Sequence, residues 1–453
     1  MEEIFQLLWA NRMLGIPFFL ESGERIRVID PGLLNKDSGP DFFNAKVKID
    51  GKTWAGNIEI HMKASDWHRH GHSSNPAYDN VILHVVAVSD TRICRRDGSE
   101  IPQMRVALPE DFYRTFAYLT SSNPEIRCAR GLQEIDALRR ADWIETLTIE
   151  RLQHKATRIE ETLRNYNGDW NAACFMTLAR ALGFGLNGEP FEMLAESINL
   201  NHLRRHSDNI VQMEAIFFGQ AGLLDPMTNM ADQRYQVMCR EYQFLARKYS
   251  MRPIPRASWK FARTRPQNLP YRRIALLAKA MAETPDLLNR ILKSEGDEEK
   301  LRQLFKWQVD AYWSRRLTFG SDAQTEANPP SLSEGSINIL LINVAAPLLY
   351  AYALLHSDHE MKETAIALLT GLPPEKNAIL RTWQQLGFKA TDAGMSQALI
   401  HLRKEYCDKH ECLRCRFGQH YLRKTAIDMM IPSRLDGVLM SVSENETLTS
   451  PMS

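Results

Sequence analysis

Between residues 39 and 88 the chain gathers side chains able to hold a cation and to activate water. Asn57, Glu59, His61 and Lys63 alternate with Ile58, Ile60 and Met62, the period-2 pattern of a strand with one polar and one apolar face. A carboxylate, an imidazole and an ammonium then project side by side, and such groups are costly to desolvate unless they pair or bind a metal. Upstream, Asp41 follows Pro40 just before a second alternating run, residues 45–50, in which Val47 and Ile49 interleave with Lys46 and Lys48. Asp50-Gly51 predicts a tight hairpin turn between the two runs, since glycine supplies the positive φ such turns need. The hairpin brings Asp41 and Glu59 to the same end of a paired sheet, where two hard oxygen ligands suit Mg²⁺ or Mn²⁺. A hairpin with a charged, solvated face is the other reading of the same pattern.

The loop His68-Arg69-His70-Gly71-His72 adds further imidazoles to His61 and His84. Neutral imidazoles ligate zinc and other transition metals, and Asp66 or Asp79 stands near enough in sequence to fix a tautomer. Loop histidines serve equally as surface residues or phosphate contacts. His84 interrupts the otherwise apolar strand 81–88, either as a satisfied core residue or as part of the site. Trp67 and Tyr78 offer rings on which bases could stack, or anchors for the loop.

Pro40-Asp41 followed by Glu59-Ile60-His61 resembles the PD-(D/E)XK nuclease core, over roughly the first quarter of the chain. In that family an Asp and a Glu bind the metal, and a Lys two residues later positions the attacking water. The resemblance implies that Asp41, Glu59 and the backbone carbonyl of Ile60 ligate the cation, with DNA or RNA as substrate. His61 stands where the family has lysine, so His61 or Lys63 would orient the water or stabilise the transition state. Such folds often place an acidic helix residue near the metal. Glu2 or Glu3 is positioned for that role, with a solvated helix start as the simpler reading. The segments GPDF, GNIEIH, SDW, HRHGH and NVILHVV also resemble an uncharacterised bacterial protein family, over most of the chain. Two rival functions follow from the same residues. One is a nuclease scaffold that binds without cleaving; the other is a hydrolase of a small phosphate ester using His68, His70 and His72.

With 453 residues, 44% of them hydrophobic and 25% charged, the chain has the composition of a globular protein of two or three domains. A formal net charge of +1 excludes a global basic field, so nucleic-acid binding would have to come from local patches. The acidic start MEEIFQLL reads as an amphipathic helix rather than an export signal. The apolar run 337–355 approaches a membrane span in length, but two asparagines and Pro347 interrupt it. A buried helix pair is expected instead, with no membrane partner. Seven scattered cysteines do not make a secreted disulfide framework, and a reducing, cytoplasmic setting is expected.

These patterns predict an α/β N-terminal domain with a mixed, nuclease-like sheet over residues 1–110 and a linker over 111–131. A larger irregular all-α domain over 132–430 and a flexible tail over 431–453 complete the chain. Asp97-Gly98 predicts a second hairpin. Gly168-Asp169-Trp170 predicts a helix N-cap. The stretch Trp259 to Arg273 is the most basic and aromatic, and Arg263, Arg265, Arg272 and Arg273 join Trp67, His68 and His70 as candidate substrate contacts. Helix capping is the alternative use of these arginines. Near the C-terminus, Cys407, Cys412 and Cys415 with His410 form the densest soft-ligand cluster, suited to zinc or an iron–sulfur cluster. The fourth ligand would be His410, His420 or a distant cysteine such as Cys128. Buried, reduced thiols on a helix are the bland alternative.

Overall fold

The computed structural model describes residues 2–12, 18–35, 37–106, 108, 110–120, 126–225, 227, 231–262, 268–325 and 327–422. The chain divides into two units: Met1–Ile135 together with Tyr406–Ser453, and Asp136–Glu405.

A mixed seven-stranded sheet forms the first unit. Its strands are β1 (Phe18–Phe19), β2 (Arg25–Asp30), β3 (Leu33–Leu34), β4 (Phe42–Ile49), β5 (Lys52–Lys63), β6 (Val81–Val88) and β7 (Gln103–Arg105). They lie in the order β1-β2-β4-β5-β6-β7, with β3 paired to β4. Pairings up to β4–β5 are antiparallel, whereas β6 runs parallel to both β5 and β7. Asp50 and Gly51 turn the β4–β5 hairpin with φ of 43° and 83°, as the dipeptide predicts. Val81 to Val86 are all buried, as a central strand requires.

Helix α1 (Glu2–Ala10) lays Ile4, Phe5, Leu8 and Trp9 against Ile58, Ile60, Leu83, Val85 and Met104 in one core. Asp97-Gly98 turns the chain as predicted: Cys94 and Glu100 form an antiparallel bridge, the Arg95 amide donates to the Ser99 carbonyl at 2.9 Å, and the Ile101 amide donates to the Ile93 carbonyl at 3.0 Å. The segment after it then joins β6 as parallel β7.

Two irregularities flank β5 at one level. Phe42 pairs with Ile58 and Ala45 with Gly56, so β4 carries an extra residue there, with Asn44 at a φ of 56°. On the other side Asn57 pairs with Val81 and Ile58 with Leu83, leaving Ile82 as the extra residue of β6. Bulges twist strands and re-aim side chains. Here they bracket Glu59. Gly56 allows the close approach: a Cβ there would lie 2.4 Å from Ile82 Cγ2 and 2.7 Å from the Asn80 carbonyl oxygen. Gly56→Ala is therefore expected to cost about 2 kcal/mol of stability, read as a lowered thermal midpoint.

The expected linker is part of this unit. Helix α2 (Glu110–Thr120) packs Tyr113, Phe116 and Leu119 onto the sheet core, and the chain leaves the unit only after Ile135. The C-terminal segment also belongs here, since Cys412 and Leu422 are buried in the same core. The boundary drawn at residue 132 and the assignment of the cysteines to the helical domain are thereby corrected. A three-residue spacing over one short helix is too brief a signal to see in sequence.

The second unit is helical. It opens with α3 (Ala137–Asn165), capped by Asp136, and α4 (Trp170–Leu182), capped by Asp169 as predicted. The apolar run lies in one helix, Glu334–His356, long and apolar enough by composition to cross a membrane, yet mostly buried within this unit. It is not a helix pair. A π-turn at Leu341–Ala345 absorbs the irregularity, and Lys155 Nζ donates to the Ile342 carbonyl at 3.1 Å.

Candidate metal centre

Asp41 and Glu59 face each other through reciprocal backbone contacts. The Ile60 amide donates to Asp41 Oδ2 at 2.9 Å, and the Asp41 amide donates to Glu59 Oε2 at 3.1 Å. Gln6 on α1 donates to Asp41 Oδ1 at 2.8 Å, a contact no local pattern reveals. Glu2, at the start of the same helix, adds a charge that raises both carboxyls. The hairpin thus delivers both acids to one place.

The histidines close the other side. His61 sits between three partners: its Nδ1 is 2.9 Å from His84 Nε2, and its Nε2 is 3.1 Å from His70 Nδ1 and 3.4 Å from Glu59 Oε1. His72 Nε2 lies 3.2 Å from the same Glu59 oxygen. It makes no aligned hydrogen bond there, although the atom is buried. Among the described residues, the ligating atoms of His61, His70 and His72 lie within 4.8 Å of one another. Side chains whose nitrogens converge on a common point have the arrangement of a ligand set. Tyr78 stacks on His72 with ring centroids 3.8 Å apart and fixes its plane.

Burial decides the charges. It pushes Asp41 up to about 7, aided by the charge of Glu59, and Glu59 up to about 8. Burial also holds His61 and His84 down to about 3, and lowers His72. The rings of His61, His84 and His72 are therefore held in the neutral form, the form that ligates a metal. His61 accordingly carries no positive charge with which to replace the lysine of the nuclease pattern. Asp66 and Asp79 fix none of these rings. Asp66 accepts from the Lys63 amide at 3.1 Å and pairs with Arg69, while Asp79 is held by Arg96.

Other expected site residues fall elsewhere. Lys63 is exposed at the end of β5, beside Asp90 whose carboxyl it helps to lower. His68 is exposed and 2.9 Å from Ser73 Oγ. Trp67 is 1% exposed, packed with Tyr78, Val81, Ile93 and Ile101, and so cannot stack on a base.

In the helical unit, Arg272 and Arg273 lie in the first turn of the helix Pro270–Glu283 and are buried, not displayed on a loop. Arg272 donates to the Pro329 carbonyl. Arg273 donates to Asn268 Oδ1 at 2.6 Å and lies over the Phe184 ring. Trp259 and Tyr271 are core residues of the same unit. Pro270 opens this helix, where its missing amide leaves no helical bond unmade. Arg263 and Arg265 lie outside the described residues.

A family model described as "Protein of unknown function (DUF2851)" matches residues 2–378. The chain belongs to that family. No curated protein and no solved structure matches it. The region matched to DUF2851 contains every member of the carboxylate–histidine group, together with Cys128.

Beyond the matched region, this DUF2851 chain returns to its sheet unit with Cys407, Cys412 and Cys415. None of the seven cysteines is in a disulfide. Arg127 reaches from beside Cys128 to Cys412 Sγ at 3.7 Å and to the Leu119 carbonyl at 3.1 Å, and it also donates to His410 Nδ1. His410 is exposed. The buried residue placed with the three late cysteines is Cys128, whose thiol is raised by burial and then by Cys415, Cys407 and Cys412.

Proposed function

We propose that this protein is a divalent-cation-dependent phosphodiesterase acting on nucleic acid, with Asp41, Glu59, His61, His70 and His72 as its working residues. The observation that carries the reading is the meeting of the buried Glu59 carboxylate and the half-buried Asp41 carboxylate, each bonded to the other's stretch of backbone, with the imidazoles of His61, His70 and His72. Isolated buried acids of this kind are costly, and a cation repays that cost. The site's donor set fits the group: oxygen from two acids, nitrogen from neutral rings, and a His72 nitrogen directed at Glu59 without a bond.

A divalent cation bound there would lower the pKa of its water and neutralise charge developing on a phosphate. The protein's own groups do the rest. Glu59 and Asp41 would hold the cation together with the imidazoles, and the Ile60 carbonyl on the same strand would be a further oxygen ligand, as the nuclease resemblance implies. Gln6 and the Ile60 amide orient Asp41. His84 orients His61, whose neutral ring serves as ligand or proton acceptor rather than as a cation. The mixed sheet with α1 against it suits the PD-(D/E)XK resemblance, which supplies the choice of nucleic acid as substrate.

The histidine group favours a second reading, hydrolysis of a small phosphate ester, because nuclease-type sites rely on carboxylates and lysine. Cleavage assays separate the two. Single- and double-stranded DNA and RNA, and a chromogenic phosphodiester, are incubated with Mg²⁺, Mn²⁺ or Zn²⁺. Cation-dependent strand cleavage that Asp41→Ala abolishes supports the nuclease reading. Turnover of the small ester alone supports the second. Oligonucleotide binding that survives chelation, with no cleavage under any cation, leaves a non-catalytic binding scaffold.

A further inference from the structure

The cysteines form a second group, independent of the carboxylate–histidine site. Three of them lie within nine residues of chain, Cys407 to Cys415, and the backbone there is tightly folded. The His410 amide donates to the Cys407 carbonyl at 3.3 Å, and the Glu411 amide to Tyr406 at 2.8 Å. His410 turns the chain with a φ of 61°, and the Cys415 amide then donates to Glu411 at 3.2 Å. Gly418 packs so close that a Cβ would lie 2.1 Å from the Cys412 carbonyl oxygen. This loop holds its three cysteines in one short folded stretch. Against it comes the turn that opens at Cys128, where Gly131 lies under the Tyr421 ring with no room for a side chain.

Cys128, Cys412 and Cys415 are buried, and Cys407 is half-buried. Three buried thiols and a half-buried one gathered here bring no advantage for packing, since any small apolar residue would fill the space. They do suit a soft metal, which takes four thiolates in a closed site. The charge of such a centre is negative, and the Arg127 guanidinium beside Cys412 Sγ is placed to offset it.

We propose that Cys128, Cys407, Cys412 and Cys415 together ligate one metal centre, a zinc ion or an iron–sulfur cluster, that fastens the returning C-terminal segment to the sheet unit. The centre is structural. All four positions are taken by protein, leaving none open for a substrate.

Metal content decides it, measured on full-length protein purified without oxygen, wild type beside Cys128→Ser. The expected result is a loss in the variant of about one zinc per chain, or of about four irons with acid-labile sulfide and visible absorbance. Those two outcomes distinguish the kinds of centre. Comparing the variants cancels any ion held at Asp41 and Glu59, so the result stands whether or not that site is an enzyme's. Equal metal content in both proteins, or no zinc and no iron in the wild type, overturns the proposal. Should Cys128→Ser prove insoluble, the wild type is titrated with a mercurial while a chromophoric chelator reports released metal. Release in step with the modification of about four thiols supports the centre. Thiols that react with no metal released overturn it.

Discussion

Replacing Glu59 with glutamine is expected to raise the thermal midpoint of the metal-free protein at pH 8, while abolishing cation-dependent hydrolysis. Glutamine keeps the shape and can still accept the Asp41 amide. It removes a carboxylate whose burial lifts it from 4.5 to about 8. In the unfolded chain that carboxyl loses its proton first as pH rises. Between 4.5 and about 8 the folded state therefore binds more protons, and stability falls with rising pH. The wild-type midpoint should decline across that window more steeply than the variant's, and the two profiles should converge below it.

Cation reverses the order. Mn²⁺ is expected to raise the wild-type midpoint by preferential binding to the folded state and to leave Glu59→Gln nearly unmoved. Differential scanning fluorimetry at a series of pH values, with chelator and then with Mn²⁺, measures both effects. Parallel pH profiles and equal responses to cation would show that Glu59 neither carries the burial cost nor holds an ion.

The second large effect concerns which ion is held. Mg²⁺ prefers oxygen and retains its waters, whereas imidazole favours Mn²⁺ and Zn²⁺. His72→Phe keeps a ring stacked on Tyr78 but removes both nitrogens from the group. Affinity for Mn²⁺ or Zn²⁺ should fall about 10–100-fold, with a smaller change for Mg²⁺. Titration calorimetry reads this directly. A folded variant with unchanged Mn²⁺ affinity would remove His72 from the ligand set and return the site to its carboxylates alone.

The parts of this site legible in sequence are those encoded locally. A two-residue periodicity and Asp50-Gly51 fix the hairpin, and the hairpin alone determines that Asp41 meets Glu59. The His68–His72 loop announces its imidazoles but not their division of labour. His70 and His72 reach the site because two short turns fold the loop back, while His68 bonds Ser73 outside it. Gln6 was invisible because a glutamine on a helix has no reason to be noticed until α1 is docked. Trp67, Arg272 and Arg273 misled for a common reason. Residue type suggests a binding surface, but exposure is set by packing that no single stretch encodes. The pairing of Cys128 with the late cysteines was open as one option among three, and only tertiary proximity chooses between them.

The sheet unit is assembled from both ends of the chain, with Asp136–Glu405 inserted between them. Synthesis on the ribosome therefore delivers Leu422, a wholly buried residue, long after the strands it covers. The inserted helices can be complete while the older half still waits for its last piece. A product terminated anywhere before residue 406 would lack a wall, not a tail, and the hydrophobic surface meant for that wall would face water.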